Sequence, residues 1–507
     1  MVTTTLFASG RGPGPDSPEA SDGRAKRARL AAVGVGALAA SISLIGIATP
    51  SFWGDEAASV LTGSRSLPSL LGVLGHIDAV HGVYYVFLHL WMQLFGTSEV
   101  AVRVPSAISV GLAAAGIVAL GRQLFWTRTG VFAGALFAVL PIVTRMGIEA
   151  RSYAMGMAAA VWITVALIAL IRRNESRRRF WVLYAVGLAA SVYLFLFLVL
   201  LVLVHLAAVI GHRAPHAVWR RWLRALLLAV LLMLPILVLG FFEREQIDFL
   251  AHRNYATAHS VLVGQWFGTP LFALLAWPLI ALSIVLLLRR GSSDRAAGLV
   301  LTAWLIAPTA LLLAANAWVT PVYNLRYLAF CAPAVALLMA RGVEALLSRV
   351  RSVHIRSLIA VVITASLVAA ITPGYLAQRS PFAKDGGSDL RQTAQLVASH
   401  ATRGDAVVFD QQTKPSRSPR LAIDLYPKLF AGLDDIGLVA PFAQRDALWD
   451  QVIPVAELGD RLAFHPTVWV VELGAGHPDV NALQGRGYAL QATFPVHRMV
   501  VYKLSKE

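Results

Sequence analysis

The stretch FWGDEAAS at residues 52–59 sets two carboxylates, Asp55 and Glu56, side by side just after an apolar run long enough to span a bilayer. A carboxylate in such a place can act as a general base and take the proton of a hydroxyl nucleophile. Other polar groups stand at the same end of other apolar runs. They are Asp78, His81 and Tyr85 around VYYVFLHLWMQLF, Glu149, Arg151 and Tyr153 in IEARSYAM, and Arg326 and Tyr327 in NLRYLAF. Ionisable groups at a membrane boundary are costly unless paired or used, so their convergence at one depth marks a candidate site. The arginines narrow its chemistry. A guanidinium grips phosphate with a two-pronged fork, and the attraction grows where water is excluded. Carboxylates and arginines together suit transfer of a sugar from a lipid phosphate to a hydroxyl. Plainer explanations exist for single residues: solvated acids at 55 and 56, an ion pair of Arg151 with Glu149, headgroup snorkelling by Arg326. Asp55, Asp78, His81 and Glu149 are also donors able to hold a divalent cation, although no spacing is diagnostic of a metal and no cofactor is expected.

The elements that must position these groups are membrane helices. The chain has 507 residues, 57% of them hydrophobic and 14% charged, with a mean hydropathy of +0.65, a balance foreign to soluble domains. Apolar segments of spanning length lie near 30–49, 101–121, 130–147, 152–171, 223–241, 262–288, 296–315, 324–341 and 355–372, and 180–211 is long enough for two short spans, giving about eleven helices. The run 83–95 is too short to span and reads as an interfacial helix carrying a polar stripe of Tyr85, His89 and Gln93. With that run not crossing, the arginine clusters at 122–128, 172–179, 213–224, 289–295 and 341–356 all fall on one side, as the positive-inside bias requires. The formal charge of +16 therefore reads as orientation, and no nucleic acid partner is expected. Residues 1–29 read as a disordered cytoplasmic tail, 30–372 as the membrane domain with a long first external loop at 50–100, and 373–507 as an external α/β domain. That last segment pairs the helical pattern SDLRQTAQLVASH with strand-like DAVVFD, VWVVEL and RMVVYKL. The single cysteine, Cys331, lies in an apolar run and is expected to be a buried thiol.

In their order, FWGDEAAS, DAVHGVYYVFLHLWMQLFG, VRVPSA, IEARSYAM and NLRYLAF resemble the GT-C glycosyltransferases, above all the glycosyltransferase family 39 group that includes protein O-mannosyltransferases and the lipid A aminoarabinose transferase. The resemblance spans roughly residues 30–345. The group's His-Pro-Pro with a following aromatic pair stands here as His81, Gly82, Val83, Tyr84 and Tyr85, without either proline. The resemblance implies a multi-pass plasma-membrane enzyme with Asp55 as catalytic base and Glu56 as its neighbour. Arg326, Arg151 and Tyr327 would then bind the donor phosphate, with Glu149 orienting Arg151, while Asp78, His81, Tyr85, Glu149 and Tyr153 line the sugar or acceptor pocket. The implied donor is a polyprenyl-phosphate monosaccharide, mannose before arabinose, and the implied acceptor an envelope glycan, a glycolipid or a protein at the external face. The abundance of Ala and Arg resembles chains of high-GC bacteria, actinobacteria among them. The competing reading is a transporter or flippase of a lipid-linked glycan, which would more often carry polar groups at mid-bilayer on broken helices.

Overall fold

In the computed structural model, which describes residues 18–289, 294–474, 476 and 478–507, most of the chain up to Ala377 is helical. Eight helices among the described residues are long and apolar enough to cross a membrane: Gly23–Leu44, Glu99–Leu124, Tyr153–Arg172, His216–His252, Pro270–Leu288, Arg295–Trp318, Leu325–Ser348 and Val353–Ala377. The protein is a multi-pass membrane protein. Eleven crossings were expected, and the two remaining apolar runs, which account for three of them, form shorter helices. The run 130–147 breaks at Leu140 and Pro141 into Thr127–Val139 and Pro141–Met146, since proline cannot donate within a helix but is welcome at its first position. The run 180–211 divides into Arg178–Leu194 and Leu201–Gly211 around a 3-10 segment, Leu196–Leu200. The expected interfacial run folds as Gly82–Phe95, and it is not among the eight.

The tail also differs from expectation. Residues 1–17 lie outside the described residues, but from Pro18 the chain is already helical and runs unbroken into the first span. Extending an existing helix through DGRAKRAR avoids a new nucleation step. That helix crosses Glu99–Leu124 at glycines. A Cβ on Gly36 would lie 2.9 Å from the Gly111 carbonyl oxygen, and one on Gly111 2.7 Å from that of Gly36, the close approach by which membrane helices associate without a hydrophobic driving force.

The C-terminal segment forms the expected helix, Leu390–His400, and a five-stranded sheet. Its strands are β1 (Ala406–Phe409), β2 (Asp434–Asp435), β5 (Thr467–Leu473), β6 (Tyr488–Pro495) and β7 (Met499–Lys506), while β3 (Leu438–Ala440) and β4 (Gln451–Val452) make a separate pair. The order is β2-β1-β5-β7-β6, parallel from β2 to β5 and antiparallel beyond. One apolar core joins this sheet to the first loop: Phe52, Leu61, Tyr85 and Leu88 pack in the same cluster as Leu421, Leu425 and Trp469. The loop is therefore held from two sides, by the membrane helices below and the α/β layer above.

Candidate active site

Asp55 sits in the first turn of the helix Gly54–Ser64, which begins after Trp53. Gly54 is required there, because a Cβ would fall 2.0 Å from the Ser416 carbonyl oxygen of the C-terminal domain. Asp55 Oδ2 lies 2.6 Å from Arg326 Nη1, and the same nitrogen is 3.3 Å from Glu149 Oε1. Arg326 is placed by the Asn324 side chain, which accepts its backbone N–H at 3.1 Å, and by the Trp53 ring 4.9 Å beneath its guanidinium. Burial pushes the Asp55 carboxyl up, but Arg326 and then Arg151 outweigh it and hold the group below the usual aspartate value. Asp55 is thus ionised at neutral pH.

Glu56 was expected to share this role, and the geometry removes it. It is fully buried, forks with Arg103 at 2.7 Å on both oxygens, meets Lys384 Nζ at 2.9 Å and accepts the Ala150 N–H at 3.0 Å. Consecutive helical residues point about 100° apart, so Asp55 faces the cleft and Glu56 the packed side. Arg103 continues to the carbonyls of Ile47 and Pro50 at 2.8 and 2.9 Å, and Lys384 to that of Ile148 at 2.7 Å. This cluster ties together the loop entrance, the Glu99–Leu124 helix, the IEAR turn and the linker to the sheet domain. Sequence reasoning missed both cations. The signal for Arg103 was its place inside an apolar helix, where a charge implies a partner; Lys384 offered none.

The expected pair of Glu149 with Arg151 is also absent, since Glu149 serves Arg326. Arg151 Nη1 instead donates to the Tyr85 hydroxyl at 3.1 Å, which in turn donates to Asp78 Oδ2 at 2.6 Å. Arg151 has no carboxylate within ion-pair distance among the described residues, and its buried Nε has no hydrogen-bond partner. Asp78 adopts a left-handed backbone (φ 64°), a conformation aspartate tolerates better than most residues. The position is held by Gln246 and by Glu243, whose Oε1 accepts the Ala79 N–H at 2.9 Å. Neither Glu243 nor Gln246 was singled out in the sequence.

Asp55, Asp78, His81, Arg151, Tyr153, Arg326 and Tyr327 line one cavity of about 180 Å³. Its far wall is Phe195, Leu196, Phe197, Gly240 and Phe249, with Tyr327 stacked on Phe197 at 4.4 Å. Tyr85, Glu149 and Glu56 stand behind that lining. Burial and the nearby Arg151 depress His81 to about 4, so its ring is neutral at physiological pH. Among the described residues no group of three or more His, Cys, Asp or Glu is arranged to hold a metal ion. The cavity thus presents an ionised carboxylate, an uncompensated guanidinium and an aromatic and aliphatic wall.

Residues 82–239 match the family described as dolichyl-phosphate-mannose-protein mannosyltransferase. No curated protein matches the chain in sequence. Among solved structures, ArnT from Cupriavidus metallidurans in the apo state aligns over 93% of this chain and 97% of its own, with 12% identity and a TM-score of 0.56. The same protein bound to undecaprenyl phosphate aligns over the same shares, with 13% identity and a TM-score of 0.55. The chain therefore has the GT-C fold that its motif order led us to expect, and its 82–239 stretch carries the sequence pattern of the dolichyl-phosphate-mannose-protein mannosyltransferase family.

Proposed function

We propose that the protein is an inverting glycosyltransferase that moves a monosaccharide, mannose first and arabinose second, from a polyprenyl phosphate to a hydroxyl of an envelope glycan, lipid or protein. The observation that carries this is the composition of the Asp55 cavity, where a base and a cation meet an apolar wall at the ends of membrane helices. An isoprenoid chain fits that wall; a nucleotide has no glycine-rich cradle here. The undecaprenyl phosphate bound to the similarly folded ArnT supports the same donor class.

In this reading the acceptor hydroxyl oxygen attacks the anomeric carbon as its bond to the phosphate oxygen breaks. The hydroxyl proton passes to Asp55 Oδ1, the oxygen not engaged by Arg326. Polyprenyl phosphate leaves, its charge met by Arg151, which has no carboxylate partner among the described residues and an unpartnered Nε, while Arg326, already shared between Asp55 and Glu149, chiefly aims the base. Tyr153, Tyr327 and His81 shape the sugar site, and Tyr85 and Asp78 hold Arg151. One base without a second nucleophile gives a single displacement, and so an α linkage from a β-phosphomannosyl donor. The positive-inside bias of the arginine-rich gaps supports a cavity and residues 373–507 outside the cytoplasm, and in this reading residues 30–372 are the catalytic membrane domain.

The test is purified protein in nanodiscs given radiolabelled polyprenyl-phosphate mannose or nucleotide-linked mannose. Transfer from the lipid donor alone is expected; turnover with the nucleotide sugar, or retained anomeric configuration, would refute the mechanism. Topology is checked separately. Because Cys331 is buried, a membrane-impermeant thiol reagent should label Ser399→Cys in intact cells and leave Ser176→Cys unlabelled.

A further inference from the structure

A second cavity, of about 490 Å³, adjoins the first at Arg326 and is lined by Trp53, Arg145, Arg253, Gln378, Asp385 and Arg417 among others. Its charges do not cancel. The one lining carboxylate, Asp385, is already taken by Arg417 at 2.8 Å and Arg498 at 3.2 Å. Arg145 and Arg253 are exposed and have no carboxylate within ion-pair distance among the described residues. Arg253 donates to the Tyr255 hydroxyl at 2.6 Å and lies 5.6 Å from the Phe249 ring centroid, which orders its guanidinium without neutralising it. Two uncompensated forks in one concavity are a site for an anion with several acceptor oxygens.

Depth identifies the kind of anion. Arg145 is in the last turn of Pro141–Met146, Gln378 caps the span Val353–Ala377, and Leu325, also lining the groove, opens the span Leu325–Ser348. The groove therefore opens where membrane-crossing helices end, at headgroup level. Its walls carry few large apolar side chains, so it fits a headgroup and not a polyprenyl tail, for which the first cavity has both an apolar wall and, in Arg151, a cation without a carboxylate partner among the described residues. We propose that this groove binds the phosphate of an anionic lipid, and that this lipid is the acceptor, its hydroxyl reaching Asp55 past Arg326 from the side opposite the donor. The proposal rests on the glycosyltransferase reading for the word acceptor, but the binding site stands without it.

The experiment uses delipidated full-length protein offered equal amounts of phosphatidylglycerol and phosphatidylcholine, with bound lipid counted by native mass spectrometry. The wild type and Asp55→Asn should both retain phosphatidylglycerol at least about tenfold over phosphatidylcholine, a difference of about 1.4 kcal/mol. Arg145→Gln with Arg253→Gln should abolish the preference, and the paired lysine substitutions should restore part of it. Because the readout needs no turnover, failure of the glycosyltransferase reading would leave it intact. Preference unchanged in the glutamine variant would reduce Arg145 and Arg253 to snorkelling side chains and overturn the site. Added undecaprenyl phosphate should not displace the phosphatidylglycerol bound to the wild type; displacement would give the groove to the donor and overturn the acceptor assignment.

Discussion

Asp55 and Glu56 are adjacent in sequence and opposite in surroundings. Glu56 is enclosed, with three cationic or N–H partners converging on its two oxygens. Asp55 keeps one oxygen on Arg326 and leaves the other toward a cavity. Full satisfaction makes a carboxylate a structural joint, because no proton acceptor is left and any loss strands buried charges. Partial satisfaction makes one a candidate base. The pair shows how a single helix turn separates the two uses without separating the residues.

The sharpest way to break that comparison is to neutralise each acid in turn. Asp55→Asn keeps shape and should lower turnover by about 10²–10⁴, the usual scale for a lost general base, with the folded protein recovered in normal yield. Near-normal turnover in the purified variant would remove Asp55 from the chemistry. Arg103→Ala should do the reverse. Leaving Glu56 and Lys384 without their fork should cost about 3–5 kcal/mol of stability, read as a lower unfolding temperature in detergent, whereas any protein that remains folded should turn over at a rate within a few fold of the wild type. A stable, inactive Arg103→Ala would place the buried cluster in catalysis and erase the distinction.

How far this contrast is legible in the sequence depends on what each signal measures. Apolar run length located the membrane helices, but Pro141 and the 3-10 segment Leu196–Leu200 shortened three of them in ways that length alone does not report. Short apolar, strand-like runs gave β1, β5 and β7, and missed β6, where YALQATFP is mostly half-buried or exposed on the sheet's edge. The site residues could be gathered from topology because each lies at the same end of its span. Their partners could not. Whether Glu149 meets Arg151 or Arg326 depends on the IEAR turn, in which residues two apart need not share a face. Glu56 closing on Lys384 spans more than 300 positions of chain, and no local pattern encodes that.

A smaller effect separates the two cleft arginines. Arg326 is paired with two carboxylates and Arg151 with none among the described residues, so Arg151→Gln should raise the donor KM about 10–100-fold, the scale of one or two charge-assisted hydrogen bonds. Arg326→Gln should lower kcat more than it raises that KM, since its main partners are Asp55 and Glu149. Equal KM effects from both would mean that the phosphate displaces Asp55 from Arg326 when donor binds.

The finest test is the pH dependence of the wild type and of Arg326→Gln. Burial raises the Asp55 pKa, Arg326 and Arg151 together lower it by more, and the net is below the ordinary value. The base form therefore exists throughout the neutral range, and the stability the ion pair contributes is present above the unfolded-state pKa and lost as pH falls through the lower folded one. His81, depressed to about 4, works the other way: between about 4 and its ordinary 6.5 the unfolded chain binds a proton that the folded site refuses, so stability declines as pH drops through that window. For kcat/KM the wild type should show no inflection near the ordinary histidine value of about 6.5, only an acid limb below the usual carboxylate range. Removing Arg326 takes away the largest opposing influence on Asp55 and leaves burial stronger, so the acid limb should move up toward neutrality. If the limb stays where it was in Arg326→Gln while turnover falls, Arg326 acts on something other than the ionisation of Asp55. If the wild type itself shows a limb near 6.5 that His81→Asn removes, the imidazole and not the carboxylate is the titrating base, and the contrast between Asp55 and Glu56 would concern packing alone.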